Sequence, residues 1–218
     1  SSLSGKILVL HDAVDESLDT ANAWNVESEK DLLEKKDIKK VMYIGNLYEW
    51  KKPEFLIDMM SGVARDDVVL VFVGGDIGDI QRLKKYAFHR GVEKKVYFVG
   101  RVKPANVFAY LKAADVLVHY SPPDTSFSPL KIFEYMLARK PILAPSSPGV
   151  NEVLKNGQNA LLFDPYDPCD AAQKLLTLLD NKDFAEMLAT NAYITVKSNY
   201  TFRARANKLI EKLGELAR

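Results

Sequence analysis

The chain has 218 residues, 47% of them hydrophobic and 27% charged, an ordinary globular composition with room for one large or two small domains. Its 30 basic and 29 acidic residues leave a formal net charge of +1, so no global field recruits nucleic acid or an anionic membrane. The single cysteine, Cys169, excludes an internal disulfide and a cysteine zinc cluster, and fits a reducing, cytoplasmic setting.

Apolar, β-branched runs bounded by turn residues predict strands at Lys6–Leu10, Lys40–Ile44, Val68–Val73, Val96–Val99, Val116–His119, Pro141–Ala144 and Ala160–Phe163. Helical patterns fall between them at Pro53–Ala64, Asp79–Arg90, Pro104–Ala113, Pro129–Arg139, Asn151–Lys155 and Pro168–Leu179. Most of those helices open on a proline or an acidic residue, as the first turn prefers. Val68-Val69-Leu70-Val71-Phe72-Val73 is apolar throughout, as expected of a strand covered on both faces. The expected fold is therefore α/β: a Rossmann-like, doubly wound parallel sheet with helices on both faces, in one domain over 1–218. The tail, 183–218, is expected to be helical with no further strand. The longest uncharged run, Pro141–Asn151, holds three prolines and falls short of the ~20 residues that cross a bilayer. The start at Ser1-Ser2, with neither methionine nor a signal segment, suggests a domain excised from a longer protein.

In such sheets ligands sit at the carboxyl ends of the strands. The loops expected to meet there are Gly45–Lys52, Gly74–Asp79, Gly100–Pro104 and Ser121–Ser128. Glycine lets backbone approach a ligand, and Lys51, Lys52, Arg101 and Lys131 are cations suited to a diphosphate. Ser128 is a good N-cap and Pro129 suits the first helical position, which frees the amides of Leu130 and Lys131 to hold a phosphate. Glu134 falls on the face of Leu130, where its carboxylate would accept hydrogen bonds from sugar hydroxyls.

Taken in order, Tyr43-Ile44-Gly45-Asn46-Leu47 with Lys51, Phe72-Val73-Gly74-Gly75, Val96-Tyr97-Phe98-Val99-Gly100, Ala114-Asp115-Val116-Leu117-Val118, Ser128-Pro129-Leu130-Lys131-Ile132-Phe133-Glu134-Tyr135-Met136, Lys140-Pro141-Ile142-Leu143-Ala144 and Pro148-Gly149-Val150-Asn151-Glu152-Val153 resemble the carboxy-terminal half of group 1 glycosyltransferases. His11-Asp12-Ala13-Val14-Asp15 is similar to the segment that opens that half. The resemblance implies the GT-B fold, two Rossmann-like domains facing a cleft, of which this would be the donor-binding one. It implies that Glu134 holds the ribose of a nucleotide sugar, that the amides before it hold the diphosphate, and that Lys51 clamps the diphosphate. Asn46 stands where the family's second clamping cation, an arginine, is usual. Gly100-Arg101-Val102 matches the segment bordering the base. The family's sugar-contacting acid falls on Ser126 when counted back from Glu134, or on Asp124 when counted forward from Asp115; both stay open.

The implied activity is transfer of a glycosyl group, with retention and without a metal or other cofactor, in glycan or polysaccharide biosynthesis. Lys51 and Glu134 are its expected catalytic residues, with Gly45, Asn46, Gly74, Gly100, Arg101, Val102, Asp124, Ser126, Ser128, Leu130 and Lys131 on the donor. A sugar, lipid-linked or polysaccharide acceptor, and any peripheral membrane contact, would come through an absent amino-terminal half, so the fragment alone should turn over little. A nucleotide-sugar epimerase and a non-catalytic nucleotide-sugar-binding module share this architecture and stay open. A nicotinamide dehydrogenase does not fit, because Gly74-Gly75-Asp76-Ile77-Gly78 lacks the required glycine spacing.

Other groups read as structural. Asp164, Asp167 and Asp170 look like a metal cluster but sit where helix caps are needed. Lys35-Lys36 and Lys39-Lys40 read as a mixed-charge helix face, and Trp50 as an anchor for its loop. His11, His89 and His119 are too dispersed for a metal motif, although His119 ends a strand beside the expected site.

Overall fold

In a computed structural model of the chain, residues 8, 10–20, 35, 37–123 and 130–216 are described. Six strands, β1 (Lys39–Ile44), β2 (Val68–Val73), β3 (Val96–Gly100), β4 (Val116–Val118), β5 (Ile142–Pro145) and β6 (Leu161–Phe163), form one parallel sheet in the order β3-β2-β1-β4-β5-β6. The helices are α1 (Glu54–Ser61), α2 (Ile77–His89), α3 (Pro104–Ala113), α4 (Leu130–Leu137), α5 (Pro148–Val153), α6 (Pro168–Asp180), α7 (Lys182–Asn199) and α8 (Phe202–Leu216).

Both faces of the sheet are covered. Met42 and Ile44 of β1 and Val69, Val71 and Val73 of β2 pack with Phe108 and Leu111 of α3, Ile132 and Phe133 of α4, and Val196 of α7. Val41, Tyr43, Leu70 and Phe72 point the other way, onto Leu56 and Met59 of α1, Leu83 of α2 and Leu175 of α6. Strand alternation thus supplies two cores from one apolar run, and every residue of β2 is buried.

The strand order reverses between β1 and β4, which pair in parallel with Met42 opposite Leu117. Chains leaving their carboxyl ends diverge to opposite sides of the sheet and leave a crevice between Gly45 and His119. The turn after β1 is held by Arg82 of α2. Its Nη2 donates to the Leu47 carbonyl at 2.9 Å, and its guanidinium also pairs with Glu54 and with Asp79.

Several elements differ from the sequence reading. The helix expected at Asn151–Lys155 is α5, starting at Pro148 because proline takes the first helical position, as it also does in α3 and α6. Leu154 is already extended, and Asn159 Oδ1 accepts the Lys155 amide at 2.7 Å to turn the chain. The tail breaks into α7 and α8 at Thr201, whose hydroxyl accepts the Ala204 amide at 3.1 Å. The expected strand Lys40–Ile44 is β1 and begins at Lys39, so neither lysine lies on a helix face; Lys40 is buried, and its ammonium donates to the Lys35 carbonyl at 2.7 Å. In the expected strand Lys6–Leu10, Lys6, Ile7 and Val9 fall outside the described residues, and Leu8 and Leu10 are not in a strand. Val14 bridges to Thr201 instead, tying this end of the chain to the α7–α8 junction.

Candidate functional site

The crevice at the carboxyl ends of the strands is a cleft of about 330 Å³. Gly45, Asn46 and Lys51 line it from the segment after β1, Gly74 and Gly75 from β2, Arg101 and Val102 from β3, His119 from β4, and Lys131 from α4. Most of the donor-site residues read from the sequence therefore share one cavity. Gly75, in the expected loop Gly74–Asp79, lines it as well, whereas Tyr43, Ile44, Val73 and Val107 line it and were not expected there.

The floor is glycine because the backbones nearly touch. Gly74 has φ of +121°, and a Cβ on it would lie 2.1 Å from the Gly45 carbonyl oxygen. Its amide donates to the Gly100 carbonyl at 2.7 Å. Gly100 consequently braces the floor from behind and is not among the residues lining the cleft.

Three cations face this floor. Lys51 ends a short 3-10 turn, Glu49–Lys51, with its ammonium 5.3 Å over the Trp50 ring. Burial, and then repulsion from Lys131, hold the Lys51 ammonium below its ordinary range, so a bound anion would relieve it. Arg101 follows directly on β3, and Lys131 is in the first turn of α4. Trp50 is 54% exposed and stacks on Tyr48, so it does not anchor the loop; that role falls to fully buried Leu47.

Glu134 lies one turn along α4, half-buried, and its Oε2 receives the Lys131 ammonium at 2.8 Å. It stands beside the cleft rather than among its lining residues, while Leu130 is exposed at the start of α4. Asp124, Ser126 and Ser128 lie outside the described residues.

His119 is buried at the base of the cleft with Nε2 3.5 Å from the Ser121 hydroxyl oxygen. Burial, with Lys51 adding repulsion, pushes its pKa down to about 4, so the imidazole is neutral at pH 7. His11 is near Glu152 and Tyr200, and His89 lies in the last turn of α2.

Asp164, Asp167 and Asp170 are engaged in turn and cap bonds. Asp167 accepts the amides of Cys169 and Asp170, Asp164 accepts that of Tyr166, and Asp170 pairs with Lys174. Among the described residues no group of three or more His, Cys, Asp or Glu is placed to hold a metal.

A glycine floor at the switch point of a doubly wound sheet, ringed by Lys51, Arg101 and Lys131, gives this α/β domain a cationic cleft. The chain belongs to the family described as glycosyl transferases group 1, whose model matches residues 26–195. Among its relatives are two uncharacterised glycosyltransferases of Methanocaldococcus jannaschii. MJ1069 is 27% identical over 80% of this chain and 45% of its own length, and MJ1607 is 30% identical over 76% and 42%. The chain thus spans a little under half of these curated relatives. A crystal structure of Anabaena Alr3699/HepE in complex with UDP matches with a TM-score of 0.82 at 22% identity, covering 95% of this chain and 57% of that one, which shows the shared fold.

Proposed function

We propose that the cleft binds the diphosphate and ribose of a nucleotide sugar, and that this chain is the donor-binding, carboxy-terminal part of a retaining glycosyltransferase. The observation that carries the reading is the convergence of Lys51, Arg101 and Lys131 on a floor of glycine backbone at the sheet's switch point. The UDP held by Alr3699/HepE, which has the same fold, supports a nucleoside diphosphate as the ligand class.

In this reading the diphosphate takes Lys131 from Glu134 and lies between it and Lys51, with Arg101 beside the nucleoside. Glu134, released, accepts the ribose hydroxyls. As the bond from the sugar's anomeric carbon to the diphosphate oxygen breaks, its electron pair goes to that oxygen. Lys51, Lys131 and the first amides of α4 stabilise the growing charge from fixed positions. An acceptor hydroxyl then joins the anomeric carbon on the same face and passes its proton to the departing diphosphate oxygen. The cationic side chains do the work a metal would otherwise do.

The acceptor, a sugar, lipid-linked sugar or polysaccharide, belongs to the part of the relatives' length that this chain does not span, and the setting is the cytoplasm. Among the described residues no helix is long and apolar enough to cross a membrane. Calorimetric titration of the chain with UDP, GDP and ADP tests the reading. One of them is expected to bind, and Lys131→Ala to weaken it; no binding by any of the three would overturn it. Product analysis of the full-length protein with and without an acceptor separates transfer from epimerisation.

A further inference from the structure

At the other end of α4 is a second cavity, of about 370 Å³, that the donor-site reading leaves without a role. It opens at the amino ends of β1, β4 and β5, between the sheet and the helices α6 and α7. Lys39, Arg139, Lys140 and Lys182 line it against Asp115 and Glu186, an excess of two positive charges. Asp115 is already engaged: its Oδ1 pairs with Lys39 at 3.3 Å and its Oδ2 accepts the Lys40 amide at 2.9 Å. Neither the Lys140 nor the Lys182 ammonium has a hydrogen bond or ion pair among the described residues.

A second observation is independent of this charge count. Arg139 closes α4 with φ of +55°, a left-handed conformation that L-residues with long side chains avoid and glycine adopts freely. Arg139 lines the cavity, and its guanidinium lies 5.7 Å from the centre of the Tyr193 ring. Strain kept at one residue where glycine would fit better points to a use for its side chain. Burial holds the Lys140 ammonium below its ordinary range, Asp115 opposes that, and Lys112 and Lys40 reinforce it.

We propose that this cavity binds a small phosphate-bearing anion, gripped by Arg139, Lys140 and Lys182. The guanidinium supplies a fork of donors to the phosphate oxygens, the two ammonium groups supply point charges, and Pro141 and Leu179 form an apolar wall for the rest of the ligand. A concave cavity of this size suits a free small molecule better than the flat array of headgroups on a membrane.

The test is titration of the ¹⁵N-labelled chain with inorganic phosphate at constant ionic strength, read by amide chemical shifts. Saturable shifts are expected at Lys39, Asp115 and Lys140, and sodium chloride should not reproduce them. Arg139→Gly removes the backbone strain, so its melting temperature should hold or rise while the phosphate shifts are lost; Lys140→Gln should weaken them severalfold. Lys131→Ala, in the other cleft, should leave them in place. Shifts confined to Gly45 and Gly74, shifts matched by chloride, or an undiminished response in Arg139→Gly would overturn the proposal. So would Arg139-dependent sedimentation with phosphatidylglycerol vesicles without any response to inorganic phosphate. The outcome is separate from nucleotide binding, because the two sites share no residue.

Discussion

The Tyr135 hydroxyl accepts the Ile44 amide at 2.9 Å and lies 3.4 Å from the Ile44 carbonyl oxygen, so one side chain of α4 grips the last residue of β1. Gly45 and Asn46 follow Ile44, while Glu134 precedes Tyr135 and Lys131 lies one turn before it. The two walls of the cleft are thereby fixed to each other by a hydroxyl inside the core. Burial pushes the Tyr135 phenol far above its ordinary range, so it stays protonated and able to serve this bond.

Tyr135→Phe keeps the ring but leaves the Ile44 amide buried without its acceptor. A loss of about 1–3 kcal/mol of stability is expected in urea unfolding. Nucleotide affinity should fall as well, although Tyr135 is not among the residues lining the cleft. Unchanged stability would show the bond to be replaceable.

Gly74→Ala places a methyl group 2.1 Å from the Gly45 carbonyl oxygen and demands φ of +121° from alanine. Strain of this kind costs on the order of 1–3 kcal/mol before the clash is relieved, and relief displaces the cleft floor. The variant should melt lower and bind nucleotide poorly, as read by thermal unfolding and calorimetry. Gly91→Ala has no atom within 4 Å of the added carbon at φ of +70°, so it should show the conformational loss alone.

The His119 pKa, about 4 in the fold against an ordinary 6.5, makes stability depend on pH. The unfolded chain takes up a proton at His119 as pH falls through 6.5, whereas the folded chain does so only near 4. Stability from the neutral imidazole is therefore complete above pH 6.5 and lost as pH falls to 4, by up to about 3 kcal/mol. Replacing the imidazole by an amide in His119→Gln should flatten the unfolding free energy over that window relative to wild type. Parallel pH profiles for the two proteins would contradict the assignment.

Much of the fold is legible because buried parallel strands demand unbroken apolar runs and their helices begin on proline or an acid. Lys51, Arg101 and Lys131 are legible for a related reason: the topology dictates where chemistry must sit, and cations at strand ends share that address. Features set by tertiary contact are not. Tyr135 looks like one more aromatic in an apolar helix until its hydroxyl is seen against Ile44. Lys40 opens the expected strand, yet the charges of Lys39 and Lys40 hide that the strand begins at Lys39 and that Lys40 is buried. Trp50 suggests an anchor by size, yet its loop is held by Leu47 and by Arg82 from a different helix. Gly100 shares a glycine motif with Gly74 but supports the floor through its carbonyl.

The measurement that bears most directly on the donor site is a double cycle at Glu134. The preferred nucleoside diphosphate and its 2′,3′-dideoxy analogue are titrated calorimetrically into wild type and Glu134→Ala. If the carboxylate leaves Lys131 to hold the ribose, the variant loses about 1–3 kcal/mol with the ribose form and almost nothing with the dideoxy form. An equal loss with both ligands, or none with either, would contradict a ribose-binding role for Glu134.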